Sequence, residues 1–378
     1  MGSSYRDAVD QVVSEVVAPQ APEIDRNGTF PRAGIDALAQ AGLLGLVSAT
    51  EVGGGGEGMR AAAEVIERLA AACGSTAMVA LMHYTAVAGI EAHGAAPVRR
   101  EVAGGRHLST LAFSEAGSRS HFWAPMSSAS SSNGVVRLDA RKSWVTAAGE
   151  ADSYVWSSRP VAAEGPMTLW LVPAGAEGIR VTGGFDGLGL RGNGSFPMVG
   201  DGLTVPPEAM LGADGSGLDI ALGVILPWFL VLNAAFSLGL MEAAVADTVG
   251  HLTATRLDHL GKTLAEQPLT RVEFARMRLE TDTARAFLLD TLTAIETGRE
   301  DATLRVLEIK AAVGESAITV TDRAMKVCGG AAFRKELGLE RRFRDARAAR
   351  VMAPTSDALL DFVGRVSCGM PLFDEATA

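Results

Sequence analysis

Apolar residues recur at three- and four-residue intervals over residues 8–17, 32–41, 59–73 and 76–93, the spacing of helices with one buried face. The run EVGGGGEG at 51–58 interrupts this pattern and predicts a loop between helices. It neither follows a clear strand nor ends in the Lys-Ser/Thr pair of a phosphate-binding loop. From about residue 109 to 212 the texture changes to short β-rich runs: HLSTLAFSE, VVRLDARKSWVT, SYVWSSRP, MTLWLVPA, IRVTGGF and SFPMVGDGLTVP, punctuated by Gly, Pro and Asn. After LGADGSGLD the helical period returns over 217–255, 268–298, 301–326 and 355–366. The order is helices, strands, helices, without a solenoid repeat. It divides the chain into a helical segment (1–108), a β segment (109–215) and a second helical segment (216–378).

Ile220 to Met241 carries no charged residue, long enough to raise a membrane span. Pro227, Asn233 and Ser237 interrupt it, and no Lys or Arg bias flanks it, so the pattern predicts a helix buried inside a bundle.

Charge narrows the partners. With 34 basic and 44 acidic residues, the chain has a net charge of −10, which repels nucleic-acid backbones and anionic lipid. The cluster Arg341, Arg342, Arg344, Arg347 and Arg350 is interleaved with Glu336, Glu340 and Asp345 and reads as an ion-paired helix face. Three widely spaced cysteines, Cys73, Cys328 and Cys368, form no metal-binding spacing and point to a reducing compartment. The start, MGSSYRDAVD, lacks the cationic-then-apolar layout of a signal peptide. The expectation is a cytoplasmic protein.

Four motifs in this order resemble the acyl-CoA dehydrogenase flavoproteins across essentially the whole chain. LAFSEAGS (111–118) is similar to the family strand that meets the flavin ring. RKSWVTAAGEAD (141–152) is similar to the segment whose indole and threonine flank the isoalloxazine. KVCGGAAF (326–333) is similar to the turn that approaches a neighbouring subunit's FAD, and ERRFRDAR (340–347) to the stretch preceding the active-site turn. The resemblance implies an α+β, mainly α, acyl-CoA dehydrogenase-like fold: an N-terminal helical domain, a middle β-barrel-like domain and a C-terminal four-helix bundle. It also implies FAD, held by Phe113, Ser114, Ser118, Trp144, Val145, Thr146, Arg256, Lys326, Gly329, Gly330 and Thr355, and a homodimer or homotetramer. A flavin wants hydrogen-bond donors at its ring edge, an aromatic wall and close backbone approach at its pyrophosphate. Ser114 and Thr146, Trp144, and Gly329 with Gly330 are suited to those three tasks in turn.

The resemblance also exposes a departure. Family members take a proton from carbon with a carboxylate, which in most of them sits in the turn matching Met-Ala-Pro-Thr-Ser here, where Ala353 occupies its place. The alternative seat on the central helix, ILPWFLVLN (225–233), offers Trp228, Phe229 and Leu230. The sequence therefore leaves three readings. One is a dehydrogenase-like oxidoreductase acting on an acyl thioester of CoA or an acyl carrier protein, or on a related biosynthetic intermediate, with its base supplied by His83, His121 or Asp357, or by Tyr84, which is also placed in the substrate pocket. The second is a flavin monooxygenase with a dry pocket formed by Trp228, Phe229, Met352 and Ala353. The third is a flavin-binding scaffold without catalysis. The first is preferred narrowly over the second.

Overall fold

The computed structural model describes residues 4–118 and 121–373. Helices run to Ala103, strands from Ser109 to Leu211, and helices again from Gly217 to Ser367. The Met59–Ala72 and Gly74–His93 helices fall where the apolar period places them. The first predicted helix extends further than its pattern. Tyr5–Val12 continues through a single π-helical turn, Val13–Val17, into Ala18–Asn27. Pro19 and Pro22 both lie in that last segment, directly after the π-helical turn that locally changes the hydrogen-bond register of the run.

The middle segment forms two four-stranded sheets. In one, Ser109–Ala112 pairs in parallel with Ser153–Ser158, which continues antiparallel to Thr168–Pro173 and Met210–Leu211. In the other, Ser128–Ser132, Val135–Val145, Phe196–Val205 and Ile179–Val181 are all antiparallel. The Val135–Val145 strand alternates as its sequence predicts, with Val136, Leu138 and Ala140 inward and Arg137, Asp139 and Arg141 outward. That alternation would bury Trp144 after Lys142. A register shift between Lys142 and Val145 breaks it and turns Trp144 outward at a φ of 58°.

The Leu226–Ala254 helix is buried on nearly every side and packs against Met59–Ala72, Pro268–Glu296 and Ala302–Cys328. The Gly217–Ala254 stretch is apolar and long enough to cross a membrane by composition, and most of it lies inside the bundle, as its interrupted apolar run predicts. A π-helical turn, Ala221–Ile225, leads into this helix. It places Ala221, Ile225, Leu226 and Phe229 opposite the β segment.

Candidate functional site

A cleft of about 680 Å³ opens where the two sheets meet the start of the central helix. One side is built by Phe113–Gly117, following the Ser109–Ala112 strand, and by Ser143, Trp144 and Thr146 at the bulge. The other is built by Ala221, Ile225, Leu226 and Phe229. The 348–354 turn and the 185–195 loop close the ends. That loop is held by the Asp345 carboxylate, which accepts from the Leu190 amide at 2.7 Å. Burial pushes the Asp345 carboxyl up to about 6, against the opposing pull of that amide bond. Gly189 is needed here, since a Cβ would lie 2.6 Å from the Arg344 backbone.

A buried polar network fixes the strand side of the cleft. Lys142, wholly buried, donates to Glu115 Oε1 at 2.6 Å and to Ser157 O at 2.7 Å. Glu115 also accepts from the Met126 and Ser127 amides. Burial works to raise the Glu115 carboxyl, but the Lys142 charge, with these hydrogen bonds, outweighs it and holds the group below the usual carboxylate range. Burial pulls the Lys142 amine down to about 8 against the attraction of Glu115. This pair locks the strand end at 115 to the Val135–Val145 strand immediately before the bulge. Sequence reasoning passed over it. The available signal was a charged residue on the inward parity of an otherwise apolar strand face.

Trp144 is 69% exposed, and its ring meets Phe185 edge-on at 6.2 Å, so a large indole stands at the cleft wall rather than in the core. The Thr146 hydroxyl shares a 3.3 Å contact with Ser195, and the Ser114 hydroxyl has no protein partner among the described residues. Phe113, Phe229, Met352 and Ala353 also line the cleft. A planar, polar-edged ring fits this surface: an aromatic wall is left out of the core, and two hydroxyl-bearing residues, Ser114 and Thr146, line the same space. The structure thus brings together Phe113, Ser114, Trp144, Thr146, Phe229, Met352 and Ala353. Val145 is inward-facing core at its strand pair with Phe196, leaving only its backbone near the bulge.

Other expected site residues lie elsewhere, and the geometry corrects them. His83 is fully buried with both ring nitrogens engaged, Nε2 with Leu44 O and Nδ1 accepting from the Ser109 amide, each at 3.1 Å. Burial lowers its pKa to about 4, so it is a neutral core histidine and does not line the cleft. The Tyr84 hydroxyl donates to Leu43 O at 2.6 Å, within the core. His121 is exposed and packs on Trp123 at 4.9 Å. Asp357 is exposed in the first turn of the Ser356–Ser367 helix, and the cap of that helix is Thr355, whose hydroxyl accepts from the Ala358 amide. Thr355 therefore serves the helix, and Trp228 is half-buried outside the cleft.

Ser118 donates to Glu115 O within its own turn. Arg256 donates to Gly261 O, and Lys326 lies 3.8 Å from Glu273 on the surface. Gly329, at a φ of 55°, and Gly330 face open space. None of these five residues lines the cleft of its own chain.

The bottom of the cleft rests on a residue that no motif marked. Lys310, on the Ala302–Cys328 helix, is wholly buried. Its amine donates to Ala349 O at 2.7 Å, Met352 O at 3.0 Å and Pro354 O at 2.8 Å.

Comparison with known proteins adds three matches covering most of the chain. They are the acyl-CoA dehydrogenase N-terminal domain over residues 3–104, its middle domain over 110–203 and its C-terminal domain over 215–367. The chain is 26% identical to cyclohex-1-ene-1-carbonyl-CoA dehydrogenase of Geobacter metallireducens, over 95% of this chain and 96% of that one. Butyryl-CoA dehydrogenase from Megasphaera elsdenii superposes with a TM-score of 0.90 at 22% identity, covering 97% of this chain and all of that one. FMN-bound TdsC from Paenibacillus sp. A11-2 (20% identical, 97% and 98% covered) and the prolyl acyl carrier protein oxidase AnaB (16%, 97% and 99%) each superpose with a TM-score of 0.86.

Proposed function

Since the chain belongs to the acyl-CoA dehydrogenase family of FAD-binding, flavin-dependent oxidoreductases, we propose that it oxidises an apolar acyl thioester or related biosynthetic intermediate without a side-chain base. We further propose that it does so by oxygen-dependent chemistry. The observation that carries this reading is the composition of the cleft around Ala353. Among the described residues the lining holds one acid, Glu115, and that carboxylate is tied to Lys142 and two backbone amides. Met82, Leu111, Ile225, Leu226 and Phe229 supply apolar wall beside Ala353, and the two cations in the lining, Arg344 and Arg347, offer no base. Removal of an α-proton needs a positioned group of suitable basicity, whereas oxygen activation by reduced flavin is served by a dry cavity.

FAD, when bound, would supply the redox chemistry: in the oxygenase reading it would pass two electrons from an external reductant, a reduced nicotinamide or a reduced flavin, to molecular oxygen, with one oxygen atom going to the substrate and the other to water, and in dehydrogenation it would take two electrons from the substrate. Trp144 would wall one edge of the ring, and the Ser114 and Thr146 hydroxyls would donate to its polar edge. Ala353, Met352 and Phe229 would exclude water from the opposite side. Arg256, Lys326, Gly329 and Gly330, facing outward on this chain, are proposed to serve the diphosphate end of a neighbour's FAD in a homodimer or homotetramer.

Dehydrogenation remains the second reading, favoured by the similarity to an acyl-CoA dehydrogenase along nearly the full chain. An acyl carrier protein is an alternative thioester carrier, in keeping with the AnaB likeness. The two reactions separate cleanly. Holoprotein reduced by dithionite, freed of excess reductant and mixed with aerated buffer and a panel of acyl thioesters is expected to give products heavier by one oxygen atom. Enoyl thioesters formed anaerobically from the oxidised protein would instead support dehydrogenation.

A further inference from the structure

Lys310 is an unusual way to end a helix. The Ala348–Val351 helix stops at Met352, and Pro354 has no amide to donate, so the carbonyls at its end have few backbone partners. Lys310 reaches across from the Ala302–Cys328 helix and supplies three donors to the carbonyls of Ala349, Met352 and Pro354. When it is charged, its three ammonium protons match three acceptors at the negative end of a helix, and as a neutral amine it keeps two of those donors. The acid whose charge acts on it is Glu315, five residues along the same helix, whose carboxylate is engaged by Arg350. The amine also lies 6.0 Å from the ring centroid of Phe229, a wall of the cleft. From the central helix, Asn233 approaches the same turn, its amide 3.9 Å from Met352 Sδ.

We propose that Lys310 is the positioning residue of the active-site turn: by holding the carbonyls on both sides of residue 353 from behind, it fixes where that side chain points into the cleft. The consequence is a division of labour. The turn's placement is set by a buried amine outside the cleft, so residue 353 is free to be an apolar methyl group without loss of the turn's geometry. The inference rests on the reading of the cleft above only in taking the turn as its wall. Its test reads backbone protection, which is independent of the reaction type.

The experiment is hydrogen exchange on the FAD-reconstituted protein, following peptides that cover residues 349–359, in the wild type, Lys310→Met and Lys310→Gln. Thermal melts and visible flavin spectra are recorded alongside. In Lys310→Met the turn amides are expected to exchange about tenfold faster or more, since three hydrogen bonds are lost, while peptides from the central helix keep wild-type protection. The flavin spectrum is expected to shift with the wall beside it. Lys310→Gln, which retains two donors, is expected to restore part of both signals, and it carries the test alone if the Met variant does not fold. Wild-type exchange of 349–359 in a folded variant would overturn the proposal. So would loss of protection spread evenly over the chain, because Lys310 would then be a general stabiliser.

Discussion

Trp144 owes its place to one extra residue in a strand. Strict alternation from Val136 through Lys142 would send the indole into the core, but the bulge rotates it into the cleft at a positive φ. Because the ring is exposed, Trp144→Ala is expected to leave the thermal midpoint within about 2 °C of wild type. The same change should weaken FAD binding to the apoprotein by tenfold or more, as measured by flavin fluorescence titration. Two residues further back, the reverse holds. Lys142 and Glu115 are buried as a pair, so Lys142→Met leaves an unpaired carboxylate in the core and should cost about 3–5 kcal/mol in urea unfolding at neutral pH. The carboxyl of Glu115 sits below its ordinary value in the folded state. Its contribution is therefore complete above the unfolded pKa and is lost as pH falls through the folded one.

At the scale of elements, the 348–356 turn is the point where helices from two parts of the chain converge. Burial, opposed by Glu315, pulls the Lys310 amine down to about 7, well below its unfolded value. Between about pH 7 and 10.5 the unfolded chain therefore binds more protons than the folded one, and stability rises with pH over that window. Lys310→Met should flatten the rise in melts recorded at successive pH values. On the far side of the turn, Thr355→Ala removes the cap of the last helix and should cost about 1 kcal/mol in chemical denaturation, leaving flavin binding unchanged. The long helices and most strands were legible because their apolar period is set by which face is buried. The Ser128–Ser132 strand was not, since SASSS is half-buried or exposed and its place is set by pairing with Val135–Val145. The ordered motifs made the wall residues Phe113, Trp144 and Thr146 legible. They could not show that His83 is satisfied by Leu44 and Ser109, because those partners lie 39 and 26 residues away and meet it only in the fold.

Across the whole molecule, the central helix, free of charge as far as Met241, joins the helical segments and carries Phe229 to the cleft, opposite the β segment that carries Trp144. The surface around this core leaves Leu269, Leu279 and Leu289 of the Pro268–Glu296 helix exposed, together with Phe333 beyond the Gly329–Gly330 turn. An assembly covering these residues would also bring Lys326 and the glycine turn to a neighbour, so holoprotein is expected to elute as a dimer or tetramer in size-exclusion chromatography. The central claim is that the wall at residue 353 faces the flavin and carries no base. It is tested most directly by mixing butyryl-, hexanoyl- and octanoyl-CoA anaerobically with oxidised wild-type and Ala353→Glu holoproteins and following flavin absorbance. The account predicts that the wild-type flavin stays oxidised while the variant bleaches; bleaching of the wild type by any of the three would contradict it.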